Sequence, residues 1–413
     1  MIPLGEARRH VLDRVPRPEA ALVSVDEALG LVLAEDVVAG ESVPPFDNTA
    51  MDGFAVVAAD TSDAPVELEI VETIAAGHAP TVEVRPGQAS RIFTGAPMPV
   101  GADAVVMVEK TEVVDDDRVR VDIEVPVGHH LRPAGDDLGI GQVVFAAGAV
   151  LTAGHLGVLC SLGIEDVPVY PRLRVGVVST GDELVEGPTP LEPGQIRDSN
   201  RRMLLTLAAQ AGCEAVDLGI VADTRDAITT AIRRGAGDCD VVLTSGGVSM
   251  GDIDLVRVIL DELGDMRWMQ IAIKPAKPFA FGLVEGTPVF GFPGNPVSSM
   301  VSFELLGRPA LRQAMGHATL DRPIVTAVAD EALGRRADGK THFARVVAGF
   351  GADGRIHVRS AGGQGSHQLA AMANANALAL LPDGDGVEAG GVVEAMLLGE
   401  LDGPGSLPVD QRE

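Results

Sequence analysis

From Arg174 onward, apolar strand-like segments alternate with helix-like segments, and this alternation is the feature that most constrains the fold. The strand-like segments include RVGVVST, AVDLGIV, DVVLTS and PVFGF, and the helices are expected near residues 202–210 and 227–233. Such alternation predicts a doubly wound α/β domain with a largely parallel sheet over residues 171–320. In such sheets ligands bind beyond the carboxyl ends of the strands. We therefore expect STGDE, DTRD, TSGGVSMGD and PGNP, which follow strands, to converge.

The rest of the 413-residue chain is too long for one core and has a different pattern. Short Val- and Ile-rich runs separated by Gly, Pro and Asp predict β modules on either side of the α/β domain. The first residues predict a helix with Leu4, Ala7, Val11 and Leu12 on one face, followed by a second helix at Val25–Leu33. We predict a multidomain, elongated chain of α/β plus β modules: a discontinuous N-terminal helical and linker domain (1–40 and 132–170), an inserted β-rich domain (41–131), the α/β domain (171–320), a small C-terminal β domain (321–399) and a tail (400–413).

The charge balance excludes several classes of partner. With 59 acidic and 32 basic residues the formal net charge is -27, which disfavours nucleic acid and anionic membrane surfaces. Three cysteines without CxxC spacing, no signal core and no apolar run of about 18 residues favour a cytoplasmic protein without a membrane span. An anionic small substrate would need a local focus of positive charge.

Two of the four lysines lie within one short segment, IKPAKP. They are Lys274 and Lys277, and Pro275 and Pro278 stiffen the chain around them. An ammonium group on a stiff loop suits phosphate or molybdate. The alternative is a solvated turn. Similarly, the Ser-Gly-Gly turn after VVLT allows backbone N–H groups to approach phosphate or pterin oxygens, although such turns also serve simple chain reversal.

Four segments together resemble the molybdopterin molybdenumtransferase family, which includes bacterial MoeA and the E domain of gephyrin. They are PPFDNTAMDGFAV (44–56), IFTGAPMPVGADAVVMVE (92–109), TSGGVSMGDIDLV (244–256) and IKPAKPFAFG with FGFPGNPVS (273–298). The resemblance implies a MoaB/MogA-like α/β domain and insertion of molybdate into adenylylated molybdopterin, with release of AMP and molybdenum cofactor. It also implies Mg²⁺ as the cofactor and a homodimer whose active site is shared between subunits.

The resemblance further implies roles for individual residues. Hard carboxylate oxygens suit Mg²⁺, and the metal ligands would be Glu183, Asp223 and Asp254. Helix capping and turn formation are the alternatives for the aspartates. The catalytic residues would be Asp254, Lys274, Asp52 and Thr94. The substrate-binding residues would be Ser245, Gly246, Gly247, Lys277, Pro293, Asn295, Pro296, Arg132, Asp137 and Ser366.

One position departs from the family, and two other functions stay open. Relatives often carry a lysine where this chain has Gln270, so positive charge at the anion site is lower or comes from elsewhere. A CinA-like nucleotide-processing enzyme would share the α/β domain without needing the NTAMDGFAV module. A non-enzymatic, gephyrin-like scaffold would use its β modules to bind a protein partner.

Overall fold

The computed structural model describes residues 1–246 and 255–401. The chain divides into two compact units. One contains Met1–Ala21, Gly30–Val32 and the chain from Tyr170 onward, and the other contains Leu22–Leu29 and Leu33–Val169. The domain boundaries proposed from the sequence remain predictions.

The elements up to residue 170 are mostly short strands: α1 (Leu4–Leu12), β1 (Ala21–Ser24), β2 (Val32–Leu33), β3 (Val37–Val38), β4 (Asn48–Thr49), β5 (Gly53–Val56), β6 (Val66–Ile74), β7 (Gln88–Ile92), β8 (Ala104–Met107), β9 (Thr111–Asp115), β10 (Arg118–Val121), β11 (Leu131–Arg132), β12 (Val143–Phe145), α2 (Ala153–Ser161) and β13 (Asp166–Tyr170).

Strands and helices alternate in the α/β region: β14 (Arg174–Thr180), β15 (Leu184–Val185), β16 (Ile196–Arg197), α3 (Asn200–Gln210), β17 (Glu214–Val221), α4 (Arg225–Asp238), β18 (Val241–Ser245), α5 (Leu255–Leu263), β19 (Gly264–Gln270), β20 (Ile273–Lys274), β21 (Pro278–Val284), β22 (Thr287–Phe292), α6 (Pro296–Ser302) and α7 (Arg308–Ala314). The C-terminal elements are β23 (Ile324–Ala329), β24 (Leu333–Gly334), β25 (Thr341–Phe350), β26 (Ile356–Ser360), α8 (Leu369–Ala373), β27 (Ala377–Leu381), β28 (Gly386–Val387) and β29 (Val392–Leu397).

The α/β sheet has the strand order β17-β14-β18-β22-β21-β19. The first four strands are parallel to one another, and β21 and β19 are antiparallel to their neighbours. Buried residues of α3, α6 and α7 share one core with the sheet, whereas those of α4 and α5 share another. Helices therefore cover both faces, which confirms the predicted doubly wound fold.

Of the two helices predicted near the N-terminus, one forms. In α1, Ala7 and Val11 are fully buried in the same core as α3 and α7. The prediction of a helix at Val25–Leu33 is wrong, because only Val25–Glu27 forms a single 3₁₀ turn. Gly30 then adopts a left-handed φ of 79°, which interrupts a helix, and Val32 and Leu33 continue as a strand.

The unit that contains residues 33–169 is built around a six-stranded sheet of order β8-β5-β7-β6-β10-β9. Its core includes Phe54, Leu68, Val106 and Val119. A separate two-stranded ladder pairs β11 with β4, so that Arg132 lies opposite Asn48. The predicted β-rich character of residues 41–131 is confirmed.

The C-terminal strands β25, β26, β23, β29 and β27 pair in that order, and β27 pairs again with β25, so the five strands close into a ring. The short strand β20 adds to β25 in parallel, with Lys274 opposite His342. The lysine segment is thus hydrogen-bonded to the C-terminal sheet. Among the described residues, every helix is too short or too polar to cross a membrane.

Candidate functional site

The loops that follow the first two parallel strands lie side by side. The Gly181 N–H donates to the Val221 carbonyl at 3.3 Å, and the Asp223 N–H donates to the Asp182 carboxylate at 3.0 Å. Glu183 folds back over Gly181, where a Cβ would lie only 2.5 Å from Glu183 Oε2. The absence of a side chain on Gly181 therefore leaves space for the Glu183 carboxylate beside the loop that carries Asp223.

The next strand, β18, brings Ser245 and Gly246 to the same edge. Gly246 has a φ of 93°, which favours glycine, and its N–H donates to the Phe292 carbonyl at 3.0 Å. A Cβ on Gly246 would lie 3.6 Å from the Thr180 carbonyl oxygen, so the ends of β14, β18 and β22 are neighbours. Gly247 and Asp254 lie outside the described residues.

The PGNP segment leads from β22 into α6, which begins at Pro296, and Asn295 occupies the N-cap position. The Val297 N–H at the start of this helix donates to the Ser366 carbonyl at 3.3 Å. Ser366 belongs to the loop at residues 363–367, which is distant in sequence. The structure therefore brings Pro293, Asn295 and Pro296 together with Ser366.

Arg345 lies beneath this loop and is fully buried. Its guanidinium donates to the carbonyl oxygens of Gly363 at 2.6 Å and Gly365 at 3.2 Å, whereas Nε and Nη1 have no hydrogen-bond partner. No ion pair joins Arg345 to a carboxylate within the described residues, and burial lowers its pKa. A buried cation with two unused donors is costly unless an anion compensates it.

Asn200, the first residue of α3, connects two strand ends. Its side-chain amide donates to Ser245 Oγ at 2.8 Å and to the Gly294 carbonyl at 2.7 Å. Because a carbonyl only accepts, the nitrogen of the amide must face Gly294. The Oδ1 atom of Asn200 is buried and has no partner.

Lys274 and Lys277 are both exposed and form no ion pair within the described residues. The Lys277 carbonyl accepts a hydrogen bond from Ile271 at 2.7 Å, and Lys274 is fixed by the pairing of β20 with β25. Their backbones are thus held in place while their ammonium groups remain free. This arrangement suits electrostatic binding of an anion.

The other compact unit holds Asp52 and Thr94 in direct contact. Asp52 Oδ1 accepts hydrogen bonds from the Thr94 hydroxyl at 2.6 Å and from the Thr94 N–H at 2.7 Å. The hydrogen bond from the Thr94 hydroxyl is the main cause of the lowered pKa of Asp52. Asn48, which precedes Asp52 by four residues, lies opposite Arg132 in the pairing of β4 with β11. The Asp137 N–H donates to the Val43 carbonyl at 3.0 Å.

Three family models match this chain. They are the MoeA N-terminal region (domain I and II) over residues 2–163, the probable molybdopterin binding domain over 176–313 and the MoeA C-terminal region (domain IV) over 332–398. A molybdopterin molybdenumtransferase of Haemophilus influenzae is 38% identical over 92% of this chain and 94% of its own. The chain belongs to the MoeA family.

Other members agree with this assignment. A molybdopterin molybdenumtransferase 2 of Mycobacterium tuberculosis is 40% identical over 92% of this chain and 95% of its own. A crystal structure of a MoeA protein from Pyrococcus horikoshii has a TM-score of 0.83 at 30% identity, and covers 97% of this chain and 100% of that one. The fold and the family inferred from the four sequence segments are both confirmed.

Two buried residues near the site of this MoeA-family chain, Arg345 and Asn200, were not predicted from its sequence. The position of Arg345 within the apolar strand THFARVVAGF could have indicated a functional role, because a charged side chain on a buried strand face requires a partner. Asn200 gave a weaker signal, since the RDSN segment also fits ordinary helix capping. The burial of both side chains depends on segments that are far apart in sequence.

Two of the three carboxylates predicted to hold a metal ion lie within the described residues. Glu183 and Asp223 follow adjacent strands, β14 and β17, and both are exposed. Within residues 1–246 and 255–401 no group of three or more His, Cys, Asp or Glu side chains could hold a metal ion. The third predicted ligand, Asp254, lies outside these ranges. Two carboxylates at one sheet edge fit the preference of Mg²⁺ for few protein oxygens and several waters.

Proposed function

We propose that this chain is a transferase of molybdenum cofactor biosynthesis that inserts molybdate into adenylylated molybdopterin and releases AMP and molybdenum cofactor. The observation that carries the proposal is the buried Arg345, which has unused donors beneath the loop that meets PGNP. Because no carboxylate pairs with it within the described residues, its buried charge favours a small, doubly charged oxyanion near this loop without direct contact. The names of relatives that match over most of the chain support the transfer of molybdenum to molybdopterin.

The two anionic substrates would bind at neighbouring places. The adenylylated pterin would lie over the strand ends at Ser245 and Gly246, with Gly247 beyond, and Lys274 and Lys277 would neutralise its phosphates. Molybdate would lie beside Pro293, Asn295, Pro296 and Ser366, with Arg345 below. Holding two mutually repelling anions in contact is the main task of the site, because proximity then allows the two dithiolene sulfurs to bind molybdenum. One molybdate oxygen would leave with the two thiol protons as water.

Mg²⁺ would be bound by Glu183, Asp223 and Asp254. It would supply positive charge that offsets the phosphates of the pterin nucleotide. The contribution of the chain is to hold the two described carboxylates at adjacent strand ends, where the Asp182 side chain fixes the backbone of Asp223. Asp254 would further act as a catalytic residue, as in the family resemblance.

In a cytoplasmic homodimer, each subunit would complete the site of the other subunit with four residues: Asp52, Thr94, Arg132 and Asp137. The contact between Asp52 and Thr94 supports this role, because it orients the Asp52 carboxylate and stabilises its ionised form. Mixing inactive Asp52→Ala with inactive Lys274→Ala protein tests the arrangement. Random exchange of subunits in a symmetric dimer should restore about a quarter of the wild-type activity. No recovery after confirmed exchange would contradict a shared site.

Incubation of the purified protein with adenylylated molybdopterin, Mg²⁺ and molybdate tests the reaction itself. We expect AMP release that depends on molybdate, together with metal bound to the pterin. The variants Lys274→Ala and Arg345→Met should lose most of this activity, whereas Arg9→Ala, which removes an exposed arginine of α1, should retain it. AMP release without molybdate would instead indicate a CinA-like nucleotide-processing enzyme. No AMP release under any condition would favour a scaffold.

A further inference from the structure

The linker at residues 315–323 joins α7 of the α/β region to the C-terminal strand β23. Two adjacent linker residues of opposite charge, Asp321 and Arg322, form ion pairs with separate elements. The guanidinium of Arg8, in α1, donates to both carboxylate oxygens of Asp321, at 2.6 and 2.7 Å. A bidentate pair fixes the relative orientation of its two groups as well as contributing energy. The linker is therefore held against α1.

Arg322 forms the second bidentate pair, with a carboxylate inside the fold. Its Nε and Nη2 atoms donate to the two oxygens of Glu304, each at 3.0 Å. Glu304 is buried, and Arg308 Nε lies 3.9 Å from the same carboxylate, beyond hydrogen-bond distance. Arg322 therefore supplies the hydrogen bonds that a buried carboxylate requires.

Glu304 lies on the helical segment that begins at PGNP. α6 starts at Pro296 and leads directly into a π-helical turn, Phe303–Gly307, which contains Glu304. Such turns are rare in proteins and occur frequently at functional sites. One helical segment thus connects the place proposed for molybdate with the partner of Arg322.

The C-terminal region meets this helical segment at both of its ends. At the start, the Val297 N–H donates to the Ser366 carbonyl at 3.3 Å, and at the far end Glu304 binds Arg322. Between these points, residues of α6 share one apolar core with Met372 of α8. The ion pair and the Ser366 contact therefore hold the same two parts of the chain together.

We propose that the ion pair between Glu304 and Arg322 positions the Ser366 loop against PGNP and thereby supports molybdate binding. The inference rests on the proposed function, which assigns molybdate to the place beside this contact. The Pro323 carbonyl, next to Arg322, accepts from the Leu397 N–H of β29 at 2.9 Å, so a shift of Arg322 is passed to the C-terminal sheet. Glu304 and Arg322 are positioning residues that act through Ser366.

The same ion pair also contributes to stability, so two variants are needed to separate stability from positioning. Arg322→Met leaves the Glu304 carboxylate buried without its bidentate partner, which destabilises the fold. The double variant Arg322→Met/Glu304→Gln removes that uncompensated charge, and the amide oxygen can accept a hydrogen bond from Arg308. The double variant should regain part of the lost melting temperature, but it lacks the bond that holds the linker.

Steady-state kinetics with each substrate varied in turn test the proposal, at a temperature at which every variant is folded. Both variants should raise the KM for molybdate by about tenfold, because a misplacement of about 1 Å can cost about a hundredfold. The KM for adenylylated molybdopterin should stay unchanged. Arg267→Met is the matched control, because it removes an ion pair with Glu6 at 2.6 Å that joins α1 to β19, and it should change neither KM.

Amide hydrogen exchange provides a second measurement, which requires no substrate. The Val297 N–H lies in the first turn of α6, where backbone N–H groups lack an acceptor within the helix, and it donates to Ser366 instead. Exchange at Val297 should therefore be faster in both variants than in the wild type. In Arg267→Met it should proceed at the wild-type rate.

Three outcomes would overturn the proposal. The ion pair is only structural if the double variant regains the wild-type KM for molybdate together with its melting temperature. A KM that rises equally for both substrates, or unchanged Val297 exchange in Arg322→Met, would also reject the positioning role. A wild-type chain that converts no adenylylated molybdopterin would instead contradict the proposed function, and faster Val297 exchange in the variants would still show that the pair holds the Ser366 contact.

Discussion

The side-chain nitrogen of Asn200 lies 2.7 Å from the carbonyl oxygen of Gly294 and donates a hydrogen bond to it. The same nitrogen donates to Ser245 at 2.8 Å, so one amide connects the Ser-Gly-Gly turn with PGNP. These are the two loops to which we assign the pterin nucleotide and molybdate. Their spacing therefore depends directly on Asn200.

We expect Asn200→Ala to reduce conversion of adenylylated molybdopterin by about a hundredfold, because a small displacement between two reacting groups is sufficient for such a loss. Asn200→Asp should fail as well, since a carboxylate cannot donate to Gly294. Asn374→Ala removes an exposed asparagine and serves as the control. Rates are measured together with melting temperatures. Full activity of Asn200→Ala would show that the connection is dispensable.

The contact between Thr94 and Asp52 predicts a measurable pKa change. Thr94→Val removes the hydroxyl, which has the largest influence in lowering the pKa of Asp52, and leaves the backbone N–H in place. The pKa of Asp52 should therefore rise toward its ordinary value in a carboxyl NMR titration. Thr111→Val, whose hydroxyl donates to a backbone carbonyl, should leave the Asp52 pKa unchanged. An unchanged pKa in Thr94→Val would argue against this hydrogen bond.

Arg201 should be essential for stability. Its side chain is 2% exposed and pairs with Glu186, Asp217 and the equally buried Asp198. Arg201→Ala leaves the Asp198 carboxylate buried without its partner, which should cost about 3–5 kcal/mol of unfolding free energy. The double variant Arg201→Ala/Asp198→Asn should recover part of this loss in denaturant unfolding. No recovery would mean that lost packing, rather than the unpaired charge, dominates.

His357 predicts a pH-dependent contribution to stability. Its ring nitrogens contact Asp330 at 2.5 Å and Asp353 at 3.0 Å, and the bond to Asp330 is the largest influence that raises its pKa. A raised pKa stabilises the protonated form. The contribution is therefore complete below the unfolded pKa of about 6.5 and is lost as the pH rises through the folded pKa.

Melting curves of wild type and His357→Gln at about pH 5.5 and about pH 9 test this prediction, since the two values lie on either side of an ordinary histidine pKa. The variant should be less stable than wild type at the lower pH, and the difference should shrink at the higher pH. His78→Gln, which changes an exposed ring, should show no such dependence. A difference that grows with pH would have the wrong sign and would reject the interpretation.

The sequence alone determined the fold class, the family and the edge of the sheet at which polar loops meet. The fold class and the sheet edge follow from local patterns, because hydrophobic periodicity defines strands and helices and a parallel sheet aligns the carboxyl ends of its strands. The family follows from the resemblance of four sequence segments to the molybdopterin molybdenumtransferases. Where the local pattern was ambiguous, the prediction was wrong. The helix expected at Val25–Leu33 does not form, because Gly30 interrupts it.

Tertiary structure alone decided how Lys274 is held, what lies next to PGNP and which polar groups are buried without a partner. Lys274 joins the C-terminal sheet, Ser366 meets Val297, and Arg345 and Asn200 become buried. Each of these facts depends on contacts between segments that are 18 to 94 residues apart in sequence. Burial and hydrogen-bond satisfaction are properties of that packing, so no local stretch of sequence contains them.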